Sequence, residues 1–105
     1  MKFERNKTNR GFNVLTFYDD YNIECSLQKS SSVVDHIWLG IDRAKPIIMC
    51  SDARKLGLSY AKYANGWQDF EVPEEVLIRT RMHLTKRQAR KLAMKLLRFG
   101  LFGKV

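Results

Sequence analysis

Two imidazoles, two thiols and one carboxylate pair are the groups with which this 105-residue chain could do metal or acid–base chemistry. Their spacing argues against both. His36 and His83 lie far apart, and neither stands at a ligand spacing from Cys25, Cys50 or an acid. The chain contains no C-x-x-C, no H-E-x-x-H and no glycine-rich phosphate loop. A zinc site takes four ligands, usually Cys or His, so it would need both thiols and both imidazoles gathered by the fold. Asp19-Asp20 falls in the turn-forming cluster Asp19-Asp20-Tyr21-Asn22, where a carboxylate more often bonds nearby backbone than a metal. Ser30-Ser31-Ser32 likewise reads as a turn. The expectation is a protein that is not an enzyme, with no cofactor, no metal and no small-molecule substrate.

The cations make the stronger pattern. Residues 75–105 hold nine Lys or Arg and a single acid, Glu75, whereas residues 1–74 hold ten of each sign. The entire net charge of +8 therefore falls in the last third of the chain. Such a block favours an anionic partner: nucleic acid, a nucleoprotein, anionic lipid or an acidic protein surface. The candidate contacts are Arg79, Arg81, Lys86, Arg87, Arg90, Lys91, Lys95 and Arg98. Trp38 joins them, because an indole near Arg79 and Arg81 would offer a stacking and cation–π site. The alternative for Trp38 is burial in a second small core, the usual fate of a tryptophan. The alternative for the helix cations is a solvated face.

A helix must position most of these charges. Thr85 and Gln88 have the T-x-x-Q spacing of a capping box. Beyond them Ala89, Leu92, Ala93, Leu96 and Phe99 recur on one stripe at 3.6 residues per turn. Arg87, Lys91 and Arg98 fall on the opposite side, and Lys86, Arg90 and Lys95 flank it. Gly100 is the expected stop. Lys86 and Arg87 occupy the first turn, where the helix dipole disfavours cations, which suggests that their charge has an external use. The apolar stripe predicts core packing, with Leu96→Ala costing about 2–5 kcal/mol.

Strands are expected upstream. Residues 12–18 are rich in β-branched and aromatic types. Residues 22–28 alternate, with Ile23, Cys25 and Leu27 on one side, so a hairpin through residues 19–22 is predicted. Residues 36–41 alternate again, and residues 76–84 have strand composition. Residues 46–50 form a short apolar run of ambiguous type. Residues 51–55 suit a helical turn capped by Ser51 or Asp52 and ended by Gly57, and residues 58–73 show no period. Trp67 and Phe70 are expected to fold back onto the core. Residues 1–10 read as a flexible arm and residues 11–105 as a single α+β domain. Its architecture is a small antiparallel sheet, a meander plus a closing strand, with the C-terminal amphipathic helix packed on one face. Ile23, Cys25, Leu27, Ile37, Leu39, Met82, Leu92, Leu96 and Phe99 are the expected shared core. No apolar run approaches the roughly 18 residues of a membrane span. Phe99, Leu101 and Phe102 could instead lie on an anionic membrane surface. A role in covering the sheet is favoured, and no membrane partner is expected. The polar start, MKFERNKTNR, lacks the apolar core of a secretory signal, so reduced cysteines and a cytoplasmic setting are expected.

Gly11-Phe12, ECSLQKSS, IWLG and TRMHLT followed by Gln88 together resemble a group of short, uncharacterised proteins of tailed phages and prophages. The likeness runs through most of residues 10–100 and implies a protein acting in the cytoplasm of an infected bacterium. The helix here, KRQARKLAMKLLRF, is more basic than its counterparts in that group. Three functions follow as expectations. The first is an accessory protein that binds a polyanion through the basic helix. The second is an anti-defence or host-takeover inhibitor, for example anti-CRISPR-like, that binds a host protein. The third is a minor virion or assembly component.

Overall fold

The computed structural model describes residues 1–58 and 65–105, and the readings made for residues 59–64 lie outside them. In chain order the elements are strands β1 (Glu4–Lys7), β2 (Asn13–Tyr18), β3 (Glu24–Lys29), β4 (His36–Ile41) and β5 (Ile47–Met49), helix α1 (Cys50–Lys55), strands β6 (Trp67–Asp69) and β7 (Arg81–Thr85), and helix α2 (Lys86–Phe102). The chain forms two compact units, one of residues 1–42 with 80–105 and one of residues 43–79.

The first unit is an antiparallel five-stranded sheet in the order β1-β2-β3-β4-β7, followed by α2. This is the expected α+β arrangement of a meander, a closing strand and a C-terminal helix. Local turn chemistry joins the meander. Asp19 Oδ1 accepts hydrogen bonds from the amides of Tyr21 and Ile23, both at 2.9 Å, and Asn22 takes a left-handed φ of 61°. The carboxylate therefore serves the turn. Residues 4–7, expected as part of a flexible arm, pair with β2 from Glu4↔Thr16 to Lys7↔Asn13. All four are exposed, so the backbone ladder holds this edge strand without apolar burial.

At the other edge β7 starts at Arg81, not at Val76. Its pairing with β4 runs from His36↔Thr85 to Gly40↔Arg81, and β4 ends one residue later at Ile41. Residues 76–80 have strand composition but are not part of that ladder. Gly40 is required where the ladder ends. A Cβ there would lie 2.3 Å from the Thr80 carbonyl oxygen and 2.7 Å from Arg81 Cα. The Thr80 hydroxyl donates to the Ile41 carbonyl at 2.8 Å and fastens the same corner.

The core of this unit is smaller than its sequence suggests. Cys25 is buried, and Ile23, Leu27, Ile37, Leu39 and Leu92 are half-buried. Met82, Leu96 and Phe99, assigned to the same core, are exposed, the last two at 58% and 56%. The helix approaches β4 and β7, with Ala89 and Leu92 half-buried, while every residue from Ala93 onward is exposed. Period alone says that a helix has an apolar face and leaves open what covers it. The helix also passes through Gly100. Its stop is Gly103, at φ 68°, whose amide donates to the Phe99 carbonyl at 2.7 Å. Either glycine can adopt the left-handed turn, and the later one does so.

The second unit pairs β5 with β6, from Ile47↔Asp69 to Met49↔Trp67, and sets α1 directly after β5. The ambiguous apolar run thus divides into a strand and the start of a helix. Neither Ser51 nor Asp52 caps α1; its N-cap is Met49, with no side-chain cap. Cys50 and Ala53 are fully buried, and Cys50 Sγ donates to Gln68 Oε1 at 3.1 Å. Trp67 is exposed on its strand, contrary to the expected fold-back, and Phe70 is half-buried. Both cysteines are free thiols.

Two substitutions test this packing. Gly40→Ala forces a methyl into the backbone of residues 80–81 and is expected to destabilise the protein by about 1–3 kcal/mol. Leu96→Ala removes an exposed side chain and should stay within about 0.5 kcal/mol of wild type, far below the core value its period suggests. Chemical denaturation of the two variants checks both, and a larger loss for Leu96→Ala would place that residue in a core.

Candidate nucleic-acid interface

The candidate surface lies at the junction of β7 and α2. The Thr85 hydroxyl accepts from the Gln88 amide at 3.1 Å, and Gln88 Oε1 accepts from the Thr85 amide at 2.9 Å. The reciprocal pair is the capping box expected from T-x-x-Q, and it satisfies two backbone donors where the sheet ends and the helix begins. The helix that follows contains no acid at all.

Lys86, Arg87, Arg90, Lys91, Lys95 and Arg98 are all exposed on this helix. Their charges are almost unmatched. Among the described residues the ion pairs are Lys29 with Asp35 and Lys86 with Asp35, the latter at 3.3 Å. Asp35 thus sits against the first turn of α2 and offsets the unfavourable placement of Lys86. Arg87, Arg90, Lys91, Lys95 and Arg98 have no carboxylate within ion-pair distance among the described residues. Arg87 and Arg98 are eleven residues apart, so these heads are strung along about 16 Å of helix.

Asp35 is itself polarised by its partners. The hydrogen bond from Lys29, then that from Lys86, holds its carboxyl below the usual carboxylate value. At Cys25 burial acts the other way. Desolvation, followed by the nearby charges of Asp19 and Asp42, pushes the thiol up and keeps it protonated. A buried, protonated thiol is a poor nucleophile.

The sheet supplies a second cluster that sequence reasoning only half anticipated. Trp38 is half-buried and faces His83 directly across β4 and β7. Their rings stack at 4.0 Å between centroids with planes 24° apart. His83 also stacks on His36, at 4.5 Å and 19°. The Arg81 guanidinium carbon lies 5.4 Å from the Trp38 ring centroid. Trp38, half-buried, thus meets Arg81 through a cation–π contact. Arg79 falls in the second unit and is exposed there. The two histidines, whose spacing suggested nothing, are brought together by register. A cross-strand pairing of residues 38 and 83 is the one signal that would have revealed them.

Other chemistry is sparse. Among the described residues no three His, Cys, Asp or Glu side chains gather as a metal site, and no helix is long and apolar enough to cross a membrane. A cleft of about 210 Å³, lined partly by Ile37, Leu84, Thr85 and Ala89, opens beside the start of α2. No protein-family model, curated protein or solved structure matches the chain.

The lowered pKa of Asp35 has a signed consequence. Its contribution to stability is fully present above the unfolded-state value and is lost as pH falls through the lower folded-state value. Carboxyl titration by NMR should find Asp35 below the ordinary aspartate range, and Lys29→Ala should move it upward. An unmoved titration in that variant would remove Lys29 as the cause.

Proposed function

We propose that this chain is a non-enzymatic accessory protein that binds a polyanion, nucleic acid or a nucleoprotein, through the basic face of α2. The observation that carries the reading is a set of five exposed cations without a carboxylate partner among the described residues, on a capped helix that contains no acid. Ordinary surface charges are interspersed by sign, and residues 1–74 of this chain follow that pattern. Phosphates along a backbone would supply the missing anions and release their own counterions on binding. No base-reading motif accompanies the helix, so its contact with phosphate is weakly specific. The resemblance to phage proteins supports the cytoplasm of an infected bacterium as the place of action.

A second reading has its own observation. Leu96, Leu97, Phe99, Leu101 and Phe102 are exposed beside the cations. A helix with an apolar side and a basic side also suits the groove of an acidic partner protein. That is the geometry an anti-defence inhibitor of a host protein would use.

The triple variant Arg87→Gln, Lys91→Gln and Arg98→Gln separates the readings. Glutamine keeps helix propensity, and exposed charges add little to stability, so melting should barely change. If phosphate is the partner, binding to random-sequence DNA and RNA should weaken alike. The logarithmic salt slope should fall by up to about three, near one for each phosphate that is no longer neutralised. An unchanged affinity and slope would remove this face as the binding surface. A wild type that binds no nucleic acid at low salt would leave the protein partner as the surviving reading.

A further inference from the structure

The first unit has one complete layer where domains are built from two. A sheet with an apolar face must bury it against another element. Register places Leu15, Leu27, Leu39 and Met82 in one row across β2, β3, β4 and β7. Phe17, Cys25 and Ile41 form the next row on the same face. Of these residues only Cys25 is buried, and Met82 is 49% exposed. The opposite face carries the stack of His36, His83 and Trp38, whose rings cover one another.

The chain carries a cover of the right kind but does not lay it over its own sheet. Thr85 is both the last residue of β7 and the N-cap of α2, so no loop lets the helix turn back. Ala89 lies beside Ile37 and Leu84 at one end of the apolar face. Beyond Leu92 the apolar side of the helix runs on uncovered, with Leu96, Leu97, Phe99 and Leu101 54% to 65% exposed. Residues 93–102 extend about 15 Å, the width of about three strands spaced ~4.8 Å apart. The open side of the helix thus matches the open part of the sheet in length as well as in polarity. Together they leave on the order of 700 Å² of apolar surface on each copy, close to the about 800 Å² that each partner gives to a standard interface.

We propose that a second copy of this chain covers these surfaces, α2 of each lying across β2, β3 and β4 of the other. The exchange is reciprocal, so one contact is made twice and closes as a two-fold dimer. Charge permits it at close range. Arg87, Lys91 and Arg98 lie on the side of α2 away from the apolar stripe, so the contact brings none of them inward. These cations stay free, and the phosphate-binding reading neither requires the pairing nor falls with it. Each copy carries a net charge of +8, so two copies repel until salt screens them. Added salt therefore favours pairing, whereas it weakens the binding of a polyanion.

Sedimentation of nucleic-acid-free protein over about a hundredfold range of concentration tests this. The mass should rise from 12.3 kDa toward twice that value, and added sodium chloride should move the rise to lower concentration. In dilute protein the copies are apart, so Leu96→Ala keeps wild-type stability there. Leu96→Gln with Phe99→Gln retains helix propensity and should weaken association about tenfold or more. Isotope-filtered NOEs between labelled and unlabelled wild-type copies should join Leu96 and Phe99 of one copy to Leu27 and Leu39 of the other. That measurement needs no variant, so it decides the matter even if the double variant folds poorly. A single-chain mass at the highest concentration in high salt would overturn the dimer and leave the apolar side to a different partner. So would a dimer that separates as salt is added, the behaviour of two copies bridged by nucleic acid. Contacts between the two helices alone would overturn the exchange onto the sheet.

Discussion

The reciprocal hydrogen bonds of Thr85 and Gln88 fix the point on which the rest of the first unit depends. One residue earlier the backbone is still paired in the sheet; one residue later it is helical. Without the cap, the first amides of α2 would lack partners just where Lys86 and Arg87 already oppose the helix dipole. The Thr85–Gln88 pair satisfies two donors, and Asp35 draws off part of the charge through Lys86. A helix begun at that residue carries its cations in a fixed relation to the last strand. The same register places His83 against Trp38 and His36.

The distribution of charge then explains why this face has the features of a binding surface. Pairing would be simple to arrange in a chain with eleven acids. Instead ten of them fall in residues 1–74, beside an equal number of cations, and none falls in α2. The unmatched charge is concentrated on an exposed helix whose apolar side is largely uncovered past Leu92. Self-repulsion along such a helix is tolerable at cellular salt, where exposed charges are screened beyond about 8 Å. It becomes favourable when phosphates or an acidic groove supply the counter-charge.

Much of the frame was legible in the sequence because its signals were local. Alternation over residues 36–41 marks β4 over the observed residues, and T-x-x-Q marks the first turn of α2. Asp19 reads as a turn residue, and its carboxylate bonds two turn amides. The misreadings arose where a partner, not a propensity, decides. Residues 4–7 look like an arm because an exposed edge strand needs only backbone pairing. Residues 76–80 look like a strand, yet the β4–β7 ladder begins only at Arg81. Leu96 and Phe99 look like core because period reveals a face without revealing its cover. The ring stack was invisible for a related reason: it joins residues far apart in sequence, and only register says that 38 faces 83. Trp38 and Arg81 could be nominated by type, but the two histidines could not.

The central claim is that the β7–α2 junction and the cationic face beyond it bind the partner. Backbone amide chemical shifts followed during titration with a short oligonucleotide test that claim at the level of single residues. The perturbed amides should cluster between His83 and Arg98, with His36 and Trp38 among them. Perturbations confined to residues 43–79, or none at saturating oligonucleotide and low salt, would contradict it.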